Sequence, residues 1–113
     1  MGQAITPLHR DFKAVMKITA LGLWVAIKLA KGNCVSFTSK KVLEYAEINN
    51  AIPVVLTLVR HILMQLHDKG YLQVDNSRSV RKYVVCRDSP LWGLIKQSGG
   101  PEDVLNFLEK VVE

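Results

Sequence analysis

Cysteine, histidine and long uncharged apolar runs are scarce in this sequence. The two cysteines, Cys34 and Cys86, are too few for a secreted disulfide scaffold, and they lack the close spacing of zinc-finger ligands. The three histidines form no metal-binding motif with them, so we expect no metal site. The most apolar stretch, residues 16–30, includes Lys17 and Lys28 and falls short of the roughly 20 residues that a membrane span needs. We therefore expect a cytoplasmic protein with no membrane segment.

Sequence signatures of catalysis are also missing. The chain has no glycine-rich phosphate loop, no nucleophile elbow and no pair of carboxylates on an apolar background. We predict that the protein is not an enzyme and that it uses no cofactor.

The distribution of charge is the first positive signal. The net charge of +5 divides into +3 over residues 1–30, +5 over residues 31–87 and −3 over residues 88–113. A basic body with an acidic tail suits contact between the body and a polyanion, although a solvated basic surface would give the same count. At 113 residues the chain is expected to fold as one small domain.

Residues 11–31 have the periodicity of a helix that is apolar on most of its surface. The polar positions form one narrow stripe, and Gly32-Asn33 then provides a stop signal. Such a wide apolar arc predicts either a central position in the fold or coverage by a second subunit. Trp24, which lies within the stripe, is interpreted as a partly buried core residue or as an anchor for a partner. The lysines of the stripe are Lys13, Lys17, Lys28 and Lys31.

Shorter elements follow in a regular order. Pro53 suits the first turn of a helix, and Gly70 suits the end of one. Two strand-like segments enclose a polar turn with three cations near its end. The predicted elements are a short strand at 35–37, helices at 39–48 and 53–69, strands at 71–74 and 83–86, and helices at 90–96 and from about 102 onward.

This order resembles the winged helix-turn-helix family over about residues 11–87. The most specific match is the string LMQLHDKGYL at residues 63–72, in which two leucines anchor the helix and Gly70 takes the left-handed turn into the hairpin. The resemblance implies an α+β, mostly helical fold with a three-helix core and a small antiparallel β-wing. Residues 1–87 would form this winged-helix domain, and residues 88–113 would form a C-terminal helical extension.

The resemblance also implies binding to double-stranded DNA. In this family the third helix lies in the major groove and the wing contacts the flanking backbone or minor groove. We predict a transcriptional regulator that dimerises through its first and C-terminal helices and reads a palindromic site. The residues that the family pattern places at the DNA are Lys40, Lys41, Asn49, Asn50, Thr57, Arg60, His61, Arg78, Arg81 and Lys82.

The third helix departs from the family pattern because it is unusually apolar. If its core face holds Leu56, Val59, Leu63 and Leu66, then three further apolar residues, Val54, Leu58 and Met64, are predicted near the surface. Exposed aliphatic side chains suit a protein partner better than base edges. The alternative function is therefore a winged-helix module that binds a protein, and a third is a non-specific DNA-coating protein.

The resemblance implies that the two cysteines lie close together in the fold. In the winged-helix sheet the first short strand lies beside the last, so Cys34 would lie near Cys86. We expect two buried free thiols, with a disulfide as the alternative if the source is a hyperthermophile.

Overall fold

A computed structural model of the chain describes residues 5–49 and 53–112, and the side chains from Phe12 onward. Within this part the predicted α+β, mostly helical class is confirmed, because five helices combine with one three-stranded antiparallel sheet. The elements are α1 (Ile5–Lys28), β1 (Cys34–Phe37), α2 (Ser39–Tyr45), α3 (Pro53–Asp68), β2 (Gln73–Asp75), β3 (Lys82–Cys86), α4 (Pro90–Gln97) and α5 (Pro101–Val111).

Local sequence signals define several helix ends. The Thr38 side chain caps α2 by accepting a hydrogen bond from the backbone N–H of Lys41 at 3.0 Å. Ser89 caps α4 in the same manner, and Pro90 occupies its first turn. Gly70 follows α3 with a φ of 86°, the left-handed conformation predicted for it.

Helix α2 ends earlier than predicted because Glu47 has a left-handed backbone with a φ of 65°. The backbone N–H of Ile48 then donates to the carbonyl of Leu43 at 2.8 Å and closes the helix end. This is the bond pattern that usually has glycine or asparagine at the left-handed position. Glutamate gives no such signal in a sequence, which explains the error of three residues.

Helix α1 is central, and its wide apolar surface is covered within the chain. It packs against all four other helices, and Leu23 and Ile27 are completely buried. Gly22 lies where α1 crosses α2, and a side-chain carbon there would come within 2.6 Å of Cγ1 of Val42. The close approach of these two helices therefore depends on glycine at this position.

Helices α4 and α5 belong to the same hydrophobic core as the rest of the chain. Leu91 and Ile95 of α4 and Val104 and Leu108 of α5 are completely buried. Helix α5 packs along α1, so the apolar stripe of α5 is covered by other residues of the same chain. The division into 1–87 and 88–113 remains a prediction from sequence.

Two lysines tie the end of α1 to the end of α4 by reciprocal hydrogen bonds. Lys28 Nζ donates to the carbonyls of Lys96 (3.0 Å) and Ser98 (3.2 Å), and Lys96 Nζ donates to the carbonyls of Lys28 (3.4 Å) and Ala30 (3.1 Å). Each ammonium thus satisfies carbonyls that the other helix end leaves free. Trp24 is part of this junction, since its Nε1 donates to Ser98 Oγ at 3.0 Å, in line with a partly buried core residue.

The sheet has the order β1-β3-β2, with β3 in the centre. Tyr83 lies opposite Phe37 on one side and Val74 on the other, and it is buried. Strand β2 begins two residues later than predicted. The reason is that the N–H of Tyr71 still donates to the carbonyl of Leu66 and completes the end of α3.

The expectation of two free buried thiols is wrong. Cys34 lies directly opposite Cys86 in the antiparallel register of β1 and β3, and the two are joined by a disulfide. Cys34 is exposed and Cys86 is half-buried, because this end of the sheet lies at the surface.

Among residues 5–49 and 53–112, no helix combines the length and the hydropathy that crossing a bilayer demands.

Candidate functional site

The hairpin between β2 and β3 is ordered by its own polar side chains. Asp75 Oδ1 accepts a hydrogen bond from the backbone N–H of Ser77 at 2.9 Å, and Arg81 Nε donates to Asn76 Oδ1 at 3.2 Å. The hydrogen bonds from Ser77 lower the pKa of the Asp75 carboxyl, with a smaller contribution from the charges of Arg78 and Lys82. These bonds fix the turn while the arginine side chains remain exposed.

A notch between this hairpin and the helices brings three predicted site residues together. Arg60 of α3 lines it from one side, and Arg78 and Arg81 line it from the hairpin. We call this feature the arginine notch; it encloses about 490 Å³ and is open to solvent. Its remaining lining consists of Ser39, Asn76, Ser79, Val80 and Tyr83.

None of the three arginines of the arginine notch lies within 4.0 Å of a carboxylate of the described residues, although Asp75 is near enough to Arg78 for their charges to interact. Within the described part of the chain, the single ion pair with a separation below 4.0 Å joins Lys41 Nζ to Glu44 Oε1 at 3.5 Å. Lys41 also lies over the ring of Tyr45, at 5.4 Å from its centroid. Lys40, in the same first turn of α2, is exposed. The notch therefore presents a net positive charge to solvent.

Lys82 lies next to the arginine notch, at the base of the hairpin. It is the first residue of β3, is half-exposed and pairs with Asp75 across the two strands. The three cations that the sequence predicted near the end of the turn, Arg78, Arg81 and Lys82, thus lie in or beside the arginine notch. The predicted clustering of positive charge on the hairpin is present.

Other predicted contact residues lie outside the arginine notch. Thr57 is exposed, but its hydroxyl donates to the carbonyl of Pro53 at 3.0 Å. His61 is exposed, with its Nε2 3.5 Å from Gln65 Nε2 and its ring edge-on to Phe12 at 6.2 Å. Asn49 is exposed after α2, and Asn50 lies outside the described residues.

The apolar surface predicted on α3 is smaller than expected. Val54 is 54% exposed, as predicted. Leu58 and Met64 are half-buried and pack against the core, so they do not extend that exposed surface. This correction weakens the argument for a protein partner on α3, because one exposed valine is ordinary for a folded protein.

Sequence reasoning missed five residues that line the arginine notch: Asn76, Ser79 and Val80 of the hairpin turn, and Ser39 and Tyr83. Ser39 is buried at the start of α2, and Tyr83 is buried in the middle of the sheet. The alternation of β3 indicates which face of the sheet Tyr83 occupies, but no sequence pattern indicates that Arg60 of α3 and the hairpin line one notch with Tyr83.

Metal binding has no structural support in the described ranges 5–49 and 53–112, where no group of three His, Cys, Asp or Glu residues lies close enough to share an ion. Comparisons of the chain with protein-family models, with curated proteins and with solved structures find no match. The geometry and charge of the arginine notch are therefore the basis on which a function is assigned to this chain.

Proposed function

We propose that this protein binds double-stranded DNA through the arginine notch and the lysines beside it. The observation that carries the proposal is that Arg60 of α3 and Arg78 and Arg81 of the hairpin line one notch without a carboxylate partner among the described residues. Guanidinium groups on two elements, spaced around an open notch, suit the phosphates of a duplex backbone.

The order of the elements supports a winged helix-turn-helix as the finer description of the fold. A short helix, a turn and a longer helix are followed directly by a two-stranded hairpin, whose second strand pairs with the short strand before α2. In such a domain α3 enters the major groove and the hairpin lies on the neighbouring backbone. Arg60 and the hairpin arginines then contact the same duplex from two sides.

The side chains of α3 favour backbone contacts over extensive base reading. The Thr57 hydroxyl is bonded to its own helix, and His61 contacts Phe12 and Gln65. Arg60 is left as the exposed residue of α3 best suited to a guanine edge. We infer semi-specific binding in which phosphate contacts supply most of the affinity.

Fluorescence anisotropy of a labelled duplex over a series of salt concentrations tests the proposal. We expect affinity to fall steeply with salt, because each phosphate contact releases counterions. Arg78→Ala and Lys82→Ala should each reduce the slope of log affinity against log salt by about 0.9. Arg87→Ala is the matched control, since Arg87 is an exposed arginine at the opposite end of the sheet from the hairpin.

Absence of binding at low salt would overturn the proposal and favour the protein-binding module. If the slope of log affinity against log salt were the same for Arg78→Ala and Arg87→Ala, the arginine notch would have no special role in DNA binding. A comparison of promoter DNA with random DNA then separates a regulator from a coating protein, because a coating protein binds both equally.

We further propose that the regulator acts as a homodimer. Helices α1 and α5 pack against each other through their buried faces, so a dimer would have to form on the remaining, exposed surface of these helices. Two-fold symmetry would place two half-sites about one helical turn apart on the duplex. Light scattering at micromolar concentration tests this, and a monomeric mass with and without duplex would exclude it.

A further inference from the structure

The hydroxyl of Tyr83 is a buried polar group without a partner. Tyr83 is 1% exposed, and its ring stacks on Phe37 with a centroid distance of 6.5 Å and an angle of 26°. Its hydroxyl oxygen is the single buried side-chain polar atom of the described chain that has no hydrogen bond. Buried polar groups are almost always satisfied, so this exception requires an explanation.

The position of Tyr83 in the fold supplies an explanation. Tyr83 lines the arginine notch together with Arg60, Arg78 and Arg81, and Ser39 lines it from the start of α2. The one unsatisfied hydroxyl thus belongs to a residue of a site that three arginines line and to which no carboxylate contributes. A lining that combines several guanidinium groups with an unsatisfied hydroxyl suits an oxyanion that accepts several hydrogen bonds at once.

The chemistry of the lining selects a phosphate group among such anions. Guanidinium forks bind phosphate oxygens in pairs, and a tetrahedral phosphate presents oxygens in several directions. Arg81 uses its Nε to bond Asn76, which leaves both terminal nitrogens of its guanidinium for a ligand. The volume of about 490 Å³ accommodates a phosphate with the group that it esterifies.

We propose that the arginine notch binds a single phosphate group, with the Tyr83 hydroxyl donating to one of its oxygens. This deepens the proposed function, because a backbone phosphodiester of the duplex is one source of that group. A free phosphate or a small phosphorylated molecule is the other. Less than 1 Å² of the hydroxyl is accessible, so a lining side chain must rotate before the oxygen reaches it. Arg60, Arg78 and Arg81 are exposed and have several rotatable bonds each.

The test uses Tyr83→Phe, which removes the hydroxyl and keeps the ring that stacks on Phe37. Because the hydroxyl has no partner among the described residues, the variant is expected to fold with unchanged stability. In the first arm, calorimetry measures binding of inorganic phosphate, with chloride at equal ionic strength as the reference. We expect Tyr83→Phe to weaken phosphate binding about tenfold, and Arg60→Ala to weaken it as well. Arg87→Ala should leave it unchanged.

The second arm measures binding of the labelled duplex by the same variants. If the phosphate belongs to the duplex, Tyr83→Phe weakens duplex binding about tenfold without changing the salt slope, since no charge is removed. Inorganic phosphate then competes with the duplex. If the notch takes a free phosphate, Tyr83→Phe weakens phosphate binding and leaves the duplex affinity unchanged. Both results support the phosphate site.

Equal binding of the wild type and Tyr83→Phe in both arms overturns this inference, even if the duplex binds. Conversely, a protein that binds phosphate through Tyr83 and ignores DNA would refute the proposed function and leave the phosphate site intact. The two failures are therefore distinguishable.

Discussion

Substitution of Gly22 by alanine tests the packing that places α2 against α1. In a helix without steric conflict, glycine to alanine stabilises a protein by about 1 kcal/mol. At Gly22 the added carbon would overlap the carbonyl oxygen of Val42 and lie 2.6 Å from its Cγ1. Backbone cannot rotate away as a side chain can, so the two helices must separate. Overpacking of this kind costs about 1–3 kcal/mol and occasionally more. Because the overlap at Gly22 involves backbone, we take the upper figure of about 3 kcal/mol, and the propensity gain of about 1 kcal/mol leaves a net loss of about 2 kcal/mol for Gly22→Ala.

Gly93→Ala is the matched control for this substitution. Gly93 lies within α4, and a carbon added there would meet nothing within 4 Å. This variant should gain about 1 kcal/mol from helix propensity alone, so the two substitutions differ by about 3 kcal/mol with opposite signs. Urea unfolding followed by circular dichroism measures both. A Gly22→Ala protein as stable as Gly93→Ala would refute the close contact between α1 and α2.

Further predictions concern the disulfide and the turns. Reduction of the Cys34–Cys86 bond, which spans a sequence separation of 52 residues, should lower the free energy of unfolding by about 4 kcal/mol; an unchanged urea midpoint in reductant would contradict this. The pKa of Asp75 in the folded chain is lower than its ordinary value of 3.8. The ionised Asp75 carboxylate therefore contributes fully to the free energy of unfolding above pH 3.8, and this contribution is lost as the pH falls through the pKa of the folded chain. Asp75→Asn should flatten the acid limb of stability against pH, whereas parallel curves would exclude the bond to Ser77. Gly70→Ala, at a φ of 86°, should cost about 1 kcal/mol in thermal unfolding despite the open space around it; full stability would refute the strain.

Much of the fold follows from local signals in the sequence. Pro53 and Gly70 bound α3 because each residue type suits one end of a helix, and both positions are confirmed. Glu47 illustrates the limit, since its left-handed backbone is imposed by the turn after α2 and not by its own preference. The start of β2 was missed for a related reason. Tyr71 reads as a strand residue but still completes the end of α3.

The charged residues of the candidate site could be predicted from the sequence, but the way in which the fold brings them together could not. The cations near the end of the hairpin turn can be recognised from sequence because turn and charge lie in one short segment. Arg60 is predictable as an exposed helix residue, but its position beside Arg78 depends on how α3 packs against the sheet. The missing partner of Tyr83 Oη is a property of three-dimensional packing alone. The disulfide likewise depends on the register of β1 and β3, which places Cys34 opposite Cys86.

The disulfide closes a ring that contains every described residue of the arginine notch, from Ser39 to Tyr83. A protease that cut the exposed turn of the hairpin would therefore leave both fragments on one covalent molecule. Such a nicked protein would migrate as two bands only after reduction. In an oxidising environment this face of the protein would survive a single cleavage without losing either piece.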